Sequence, residues 1–228
     1  MFYYDWTMIL VIPGLLLGMW AQARVKSAFD KYSRVRSRQG LTAEEVSRRL
    51  LDRSGNSGVT ITGTAGSLTD HYDPSSNTLR LSQTVLGNAS IAAIGVAAHE
   101  CGHAMQQHEG YAPLKLRSAI VPVVNIGSNL YFPIFMAGIL FSWEPLIYVG
   151  ILCFALSLVF SLVTLPVEFD ASKRAVAMLE NGGYLAQDEL EGARKVLNAA
   201  AMTYVAAVVS SLLQLLRLLL IARSRSDD

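Results

Sequence analysis

Charge is scarce in this chain. Asp, Glu, Lys and Arg make up 16% of its 228 residues, against 52% hydrophobic residues and a mean hydropathy of +0.35. An ordinary soluble domain carries about 25% charge, so the sequence reads as a membrane protein. Only two cysteines occur, Cys101 and Cys153, with no CxxC pair. That excludes a disulfide framework and fits a reducing compartment. The start Met1–Asp5 has no basic residue ahead of the first apolar stretch, which predicts a retained anchor rather than a cleaved signal peptide. No internal repeat is present. The apolar stretches hold no internal Asp, Glu, Lys, Arg or His apart from Arg217 at an end, which argues against a transporter or channel pathway.

What charge there is falls unevenly. Nine of the nineteen basic residues lie between Arg24 and Arg53, directly after an apolar segment. This placement predicts a cytoplasmic side by the positive-inside rule rather than nucleic-acid binding. The expected fold is mainly α: a multi-pass membrane protein of about four transmembrane helices, with a small α+β cytoplasmic domain inserted after the first. Residues 6–23 are read as a transmembrane anchor, 24–117 as a cytoplasmic catalytic domain, and 118–167 as a transmembrane hairpin. Residues 168–195 are read as cytoplasmic helices and 196–222 as a fourth span, with a disordered tail from 223. The hairpin loop Phe141–Pro145 carries no Lys or Arg, as an outer loop should.

Within 24–117, Thr42 followed by Glu45 predicts a capping box and a helix ending near Gly55. Residues 59–63 and 77–82 alternate apolar and polar side chains as short strands do. Residues 68–76 between them are dense in turn formers. Beyond the hairpin, Glu168–Glu180 reads as a separate helix closed by Gly182–Gly183, and another is expected to start with Asp188 as its cap.

Only four histidines occur, and two fall at HExxH spacing in Ala97-Ala98-His99-Glu100-Cys101-Gly102-His103-Ala104-Met105. At 3.6 residues per turn, His99 and His103 share a helix face and can present nitrogens to one ion. Glu100 stands about 100° round the helix, where it can reach an activated water without ligating. Cys101 points away. Two surface histidines flanking a glutamate are the bland alternative. A catalytic zinc centre needs a third protein ligand. His108 is off the face of His103, and Gln106 and Glu109 stand where an extended HExxHxxGxxH motif would need its Gly and third His. Glu168 is the first charge after the hairpin and is brought back to the cytoplasmic side. Its alternatives are an interfacial anchor or a helix-start glutamate.

The segments AAHECGHAMQ (97–106), TDHYDPSSNTLRLS (69–82) and LPVEFDASKRA (165–175) together resemble the YugP family of neutral zinc metallopeptidases, small multi-pass bacterial membrane proteins. The likeness runs over nearly the whole chain. The sequence is more distantly similar to the HtpX and CAAX-prenyl protease class, in which an aspartate commonly lies four residues beyond the ligand glutamate. Here that position is Ser172, with Asp170 two residues on, so the partners of the histidines are left open. The resemblance implies Zn²⁺ held by His99, His103 and Glu168, and proteolysis.

The expected function is a membrane-bound zinc-dependent endopeptidase acting on proteins or peptides at the cytoplasmic face of a bacterial cell membrane, with Glu100 as general base. Its partners are a protein or peptide substrate and the bilayer, with no nucleic acid. An extended peptide is expected to add to an edge at Asn77–Ser82, and His71 is a candidate oxyanion donor. The alternative is a zinc-stabilised membrane adaptor or chaperone.

Overall fold

A computed structural model describes residues 6–226. A 3-10 turn, Trp6–Leu10, runs into α1 (Val11–Tyr32), followed by α2 (Ala43–Arg53), β1 (Thr60–Thr64), β2 (His71–Asp73) and β3 (Thr78–Ser82). Then come α3 (Ile91–Glu109), α4 (Ala112–Leu140), α5 (Glu144–Gly182) and α6 (Gln187–Ser226). The chain is mainly helical with one small sheet. Four helical segments are long and apolar enough to cross a membrane: Trp6–Tyr32, Ala112–Leu140, Glu144–Gly182 and Gln187–Ser224. The residues on which the retained-anchor expectation rests, Met1–Asp5, lie outside the described part, as do the last two residues of the tail.

The chain packs as two units. One comprises the stretch up to Ala21, Leu116–Pro166 and the stretch from Thr203 onward. Its core is small, built on Phe135, Ile147, Ile151, Phe154, Leu218 and Ala222. Large apolar side chains such as Leu16, Phe132, Leu152 and Leu212 are exposed on it, a surface suited to lipid tails rather than water. Small residues let its helices meet closely: a Cβ on Gly150 would lie 2.8 Å from the Cα of Phe135.

The other unit comprises Gln22–Lys115 and Val167–Met202. Its core gathers Val46, Leu50 and Leu51 of α2, Leu79 and Leu81 of β3, Ile94, Ala97 and Ala98 of α3, Ala175 and Leu179 of α5, and Leu190 and Ala193 of α6. Helix α2 starts with the expected capping box, the Thr42 hydroxyl accepting from the Glu45 N–H while the Glu45 carboxylate accepts from the Thr42 N–H. The sheet order is β1-β3-β2, with β1 parallel and β2 antiparallel to β3.

Three expectations need correction. The stretch read as turn contains β2, and β3 is the central strand, so Asn77–Ser82 offers no free edge to a peptide; among the described strands the edges are β1 and β2. Strand β2 is too short to show an alternating pattern. Its neighbours are fixed by side chains instead. The Asp70 carboxylate accepts from the Ser82 N–H at 2.7 Å and hydroxyl at 2.9 Å, while Asp73 accepts from the Ser75 N–H and from the Ser75 and Ser76 hydroxyls. Those three bonds hold the half-buried Asp73 carboxyl well below the usual carboxylate range.

Secondly, α5 does not break between hairpin and cytoplasmic helix. It runs unbroken through Pro166, so Glu168 lies within a helix instead of heading one. A proline removes one N–H and crowds the preceding turn, but helices of this apolar kind tolerate it. Thirdly, α6 is likewise one helix from Gln187 to Ser226, continuing into the stretch expected to be disordered. Asp188 does not cap it. The Glu189 carboxylate accepts from the Ala186 N–H, and Asp188 pairs with Arg38 at 2.6 Å.

Candidate metal centre

Helix α3 begins where the Ser90 hydroxyl accepts from the Ala93 N–H and ends at Gly110, whose φ of 67° closes the last turn. Its first two turns are apolar and rich in small residues, which allows burial of every residue from Ile91 to Ala98 except the partly buried Val96 and leaves the motif in the second half of the helix. His99 and His103 then lie one turn apart, their rings edge to face with centroids 4.8 Å apart. Facing them from α5, Glu168 Oε2 is 3.3 Å from His99 Nε2 and 3.6 Å from His103 Nε2. One donor atom from each of the three residues lies within 4.8 Å of the others, and Glu168 is only 3% exposed.

The close approach of α3 and α5 depends on Gly102, between Cys101 and the second histidine. A Cβ there would lie 2.6 Å from the Ala171 carbonyl oxygen, which is backbone and cannot rotate away. Gly102→Ala is therefore expected to force the helices apart, to cost about 1–3 kcal/mol of stability, and to weaken zinc retention. Dialysis against a graded chelator, with thermal unfolding in parallel, measures both. Retention equal to the parent's would mean that α5 shifts without moving Glu168.

Gln106, fully buried, orients the second histidine. Its Nε2 donates to the Val167 carbonyl and to Asp170 Oδ2, each at 2.8 Å. Both partners are acceptors, so Gln106 Oε1 is the atom 3.0 Å from His103 Nδ1, and that ring nitrogen carries the hydrogen. In the neutral ring His103 Nε2 then carries the lone pair. Ser172 Oγ lies 3.1 Å from His99 Nδ1 and can fix the first ring in the same way. Asp170 also accepts from Arg174 Nε at 2.6 Å, and Arg174 reaches Glu109 at 2.7 Å. The chain of contacts thus runs from His103 to an ion pair at the surface.

Lone pairs on two imidazoles and a carboxylate aimed at one nearly dry point repel unless a cation or protons lie among them. Burial opposes charge on His103, yet hydrogen bonding to Glu168 and the nearby carboxylates raise its pKa overall. The two distances to Glu168 also suit zinc: ligand bonds of about 2 Å at tetrahedral angles place donor atoms about 3.3 Å apart. The residues fit a divalent cation held by three protein donors.

Glu100 is 8% exposed and not one of the three. Burial pushes its carboxyl up, and the neighbouring His99 and His103 only partly offset this. Its Oε2 accepts from the Tyr72 backbone N–H of β2 at 3.0 Å. None of the other singled-out residues belongs to the three-residue group. His71 is exposed on β2, with Nδ1 2.9 Å from the Thr69 carbonyl oxygen. Cys101 is buried, its Sγ 3.9 Å from the Ser47 carbonyl oxygen, and burial pushes the thiol up to about 12. His108 is exposed in the last turn of α3.

Gln106, Ser172 and the Tyr72 amide escape sequence reasoning for different reasons. Gln106 lies three residues after His103 and Ser172 four after Glu168, so helical adjacency is a usable signal for both. The Tyr72 amide has no signature, because any residue but proline supplies it.

The family model described as "Putative neutral zinc metallopeptidase" matches residues 7–223. The chain is also similar to the "Putative membrane protease YugP" of Bacillus subtilis (strain 168), with 46% identity over 219 residues, covering 96% of this chain and 97% of that relative. No solved structure matches the chain.

Proposed function

The chain belongs to this family of neutral zinc metallopeptidases, and from that premise we propose that it is a membrane-bound zinc endopeptidase cleaving proteins or peptides at the cytoplasmic face of a bacterial cell membrane. The observation that carries the proposal is the convergence of His99, His103 and Glu168 beside the buried carboxylate of Glu100. Three donors leave a coordination position open, whereas a purely structural zinc site is closed by four. That favours a peptidase over an adaptor.

His99, His103 and Glu168 would hold the ion. When bound, zinc supplies Lewis acidity, lowering the pKa of a water towards about 7 and polarising a peptide carbonyl. Glu100 would accept a proton from the attacking water and return it to the departing amine nitrogen. Gln106 and Ser172 keep both imidazoles turned with Nε2 towards the centre. The cytoplasmic assignment rests on Arg24, Lys26, Lys31, Arg34, Arg36 and Arg38, which follow the first apolar segment and belong to the same packed unit as the three donors.

Purified protein in detergent is expected to cleave casein, to stop when treated with 1,10-phenanthroline, and to recover when zinc is returned. Absence of cleavage by the zinc-loaded protein, or cleavage indifferent to the chelator, overturns the proposal.

A further inference from the structure

The peptidase reading gives Glu100 a task but does not say what aims its carboxylate. Two geometric facts bear on this. Strand β2 is an edge strand, and the Tyr72 N–H points away from β3 to Glu100 Oε2 at 3.0 Å instead of joining the ladder. Tyr72 sits between the Asp70 and Asp73 anchors, so the strand carrying this donor is held on both sides. The Tyr72 hydroxyl is separately engaged with Asn77 Oδ1 at 2.8 Å, tying the side chain to the same hairpin.

We propose that the backbone amide of Tyr72 is a positioning donor for Glu100: it pins Oε2 and thereby presents Oε1 as the oxygen that receives the proton. The interaction joins the sheet to the HExxH helix through a charge-assisted hydrogen bond, the stronger kind. A carboxylate on a glutamate side chain has three rotatable bonds. In a nearly dry site the anchor selects one orientation before substrate arrives, and misplacement of a reacting group by about 1 Å costs on the order of 10²-fold in rate. The amide is a property of the strand, so its contribution does not depend on which side chain stands at 72.

The inference rests on the peptidase reading for its kinetic arm only. Tyr72→Ala keeps the amide and serves as the reference, while Tyr72→Pro removes it at an edge-strand position paired with Leu79 whose N–H is directed to Glu100 rather than into the ladder, where proline is tolerated. With casein as substrate and both variants zinc-loaded, Tyr72→Pro is expected to show a kcat about 10- to 100-fold below that of Tyr72→Ala at similar KM and equal zinc content. Equal kcat in the two variants, or a difference confined to KM, overturns the proposal.

Hydrogen exchange tests the anchor without any activity and without relying on a folded proline variant. The Tyr72 amide is expected to be protected in the parent and to exchange at least about tenfold faster in Glu100→Ala, while the His71 and Asp73 amides change little. Equal Tyr72 exchange in parent and Glu100→Ala overturns the anchor even if hydrolysis is abundant. Faster exchange in a chain that hydrolyses nothing upholds the anchor and defeats the peptidase reading alone.

Discussion

Glu100→Gln is expected to leave the zinc content of the protein unchanged and to lower the rate of peptide hydrolysis about 10²- to 10⁴-fold, the usual contribution of a positioned general base. The substitution isolates the proton. Glutamine matches glutamate in volume, so a side chain only 8% exposed is replaced without a cavity. Its carbonyl oxygen can still accept from the Tyr72 N–H. What disappears is a group able to take a proton from water. Elemental analysis alongside a casein assay checks both halves, and hydrolysis at the parent rate would remove Glu100 from its role.

Glu168→Ala is expected to fail differently, by losing the metal. Removing one donor of three leaves two imidazole nitrogens that cannot hold an ion against a chelator. The affinity should fall by more than the roughly 10- to 100-fold that loss of a mere supporting contact costs. Activity should vanish at zinc concentrations that saturate the parent. The cavity adds a fold cost of about 2–5 kcal/mol, judged from truncations of large buried side chains. Glu168→Gln controls for that by preserving volume. Undiminished zinc in both variants would move the third ligand to another residue. Taken together, a metal-replete inactive Glu100→Gln and a metal-poor Glu168→Ala would separate chemistry from coordination.

The histidine pair and Glu100 are legible in the sequence because one helical turn suffices to relate them: positions 99 and 103 share a face whatever the rest of the chain does. Glu168 is legible by a weaker route, through alternation of apolar and charged stretches, and helical geometry alone does not reveal that its oxygen comes within 3.6 Å of both nitrogens. The capping box at Thr42 and Glu45 is visible because its partners are three residues apart. Strand β2 is hidden because it lasts three residues and is fixed by Asp70 and Asp73, residues that ordinarily announce turns. The continuity of α5 is hidden because Pro166 reads as a stop unless the helix is known to lie in apolar surroundings.

The interval between the two histidines is conventionally written with two free letters, as though any residues served. In this chain the second letter is a spatial requirement, since the volume a side chain at 102 would fill already belongs to the Ala171 carbonyl. A transplant of the motif to another helix would therefore carry over the two imidazoles and the carboxylate between them but not the close approach that brings Glu168 to them. Designing such a centre begins with choosing where the neighbouring backbone is to rest, and the ligands are chosen afterwards.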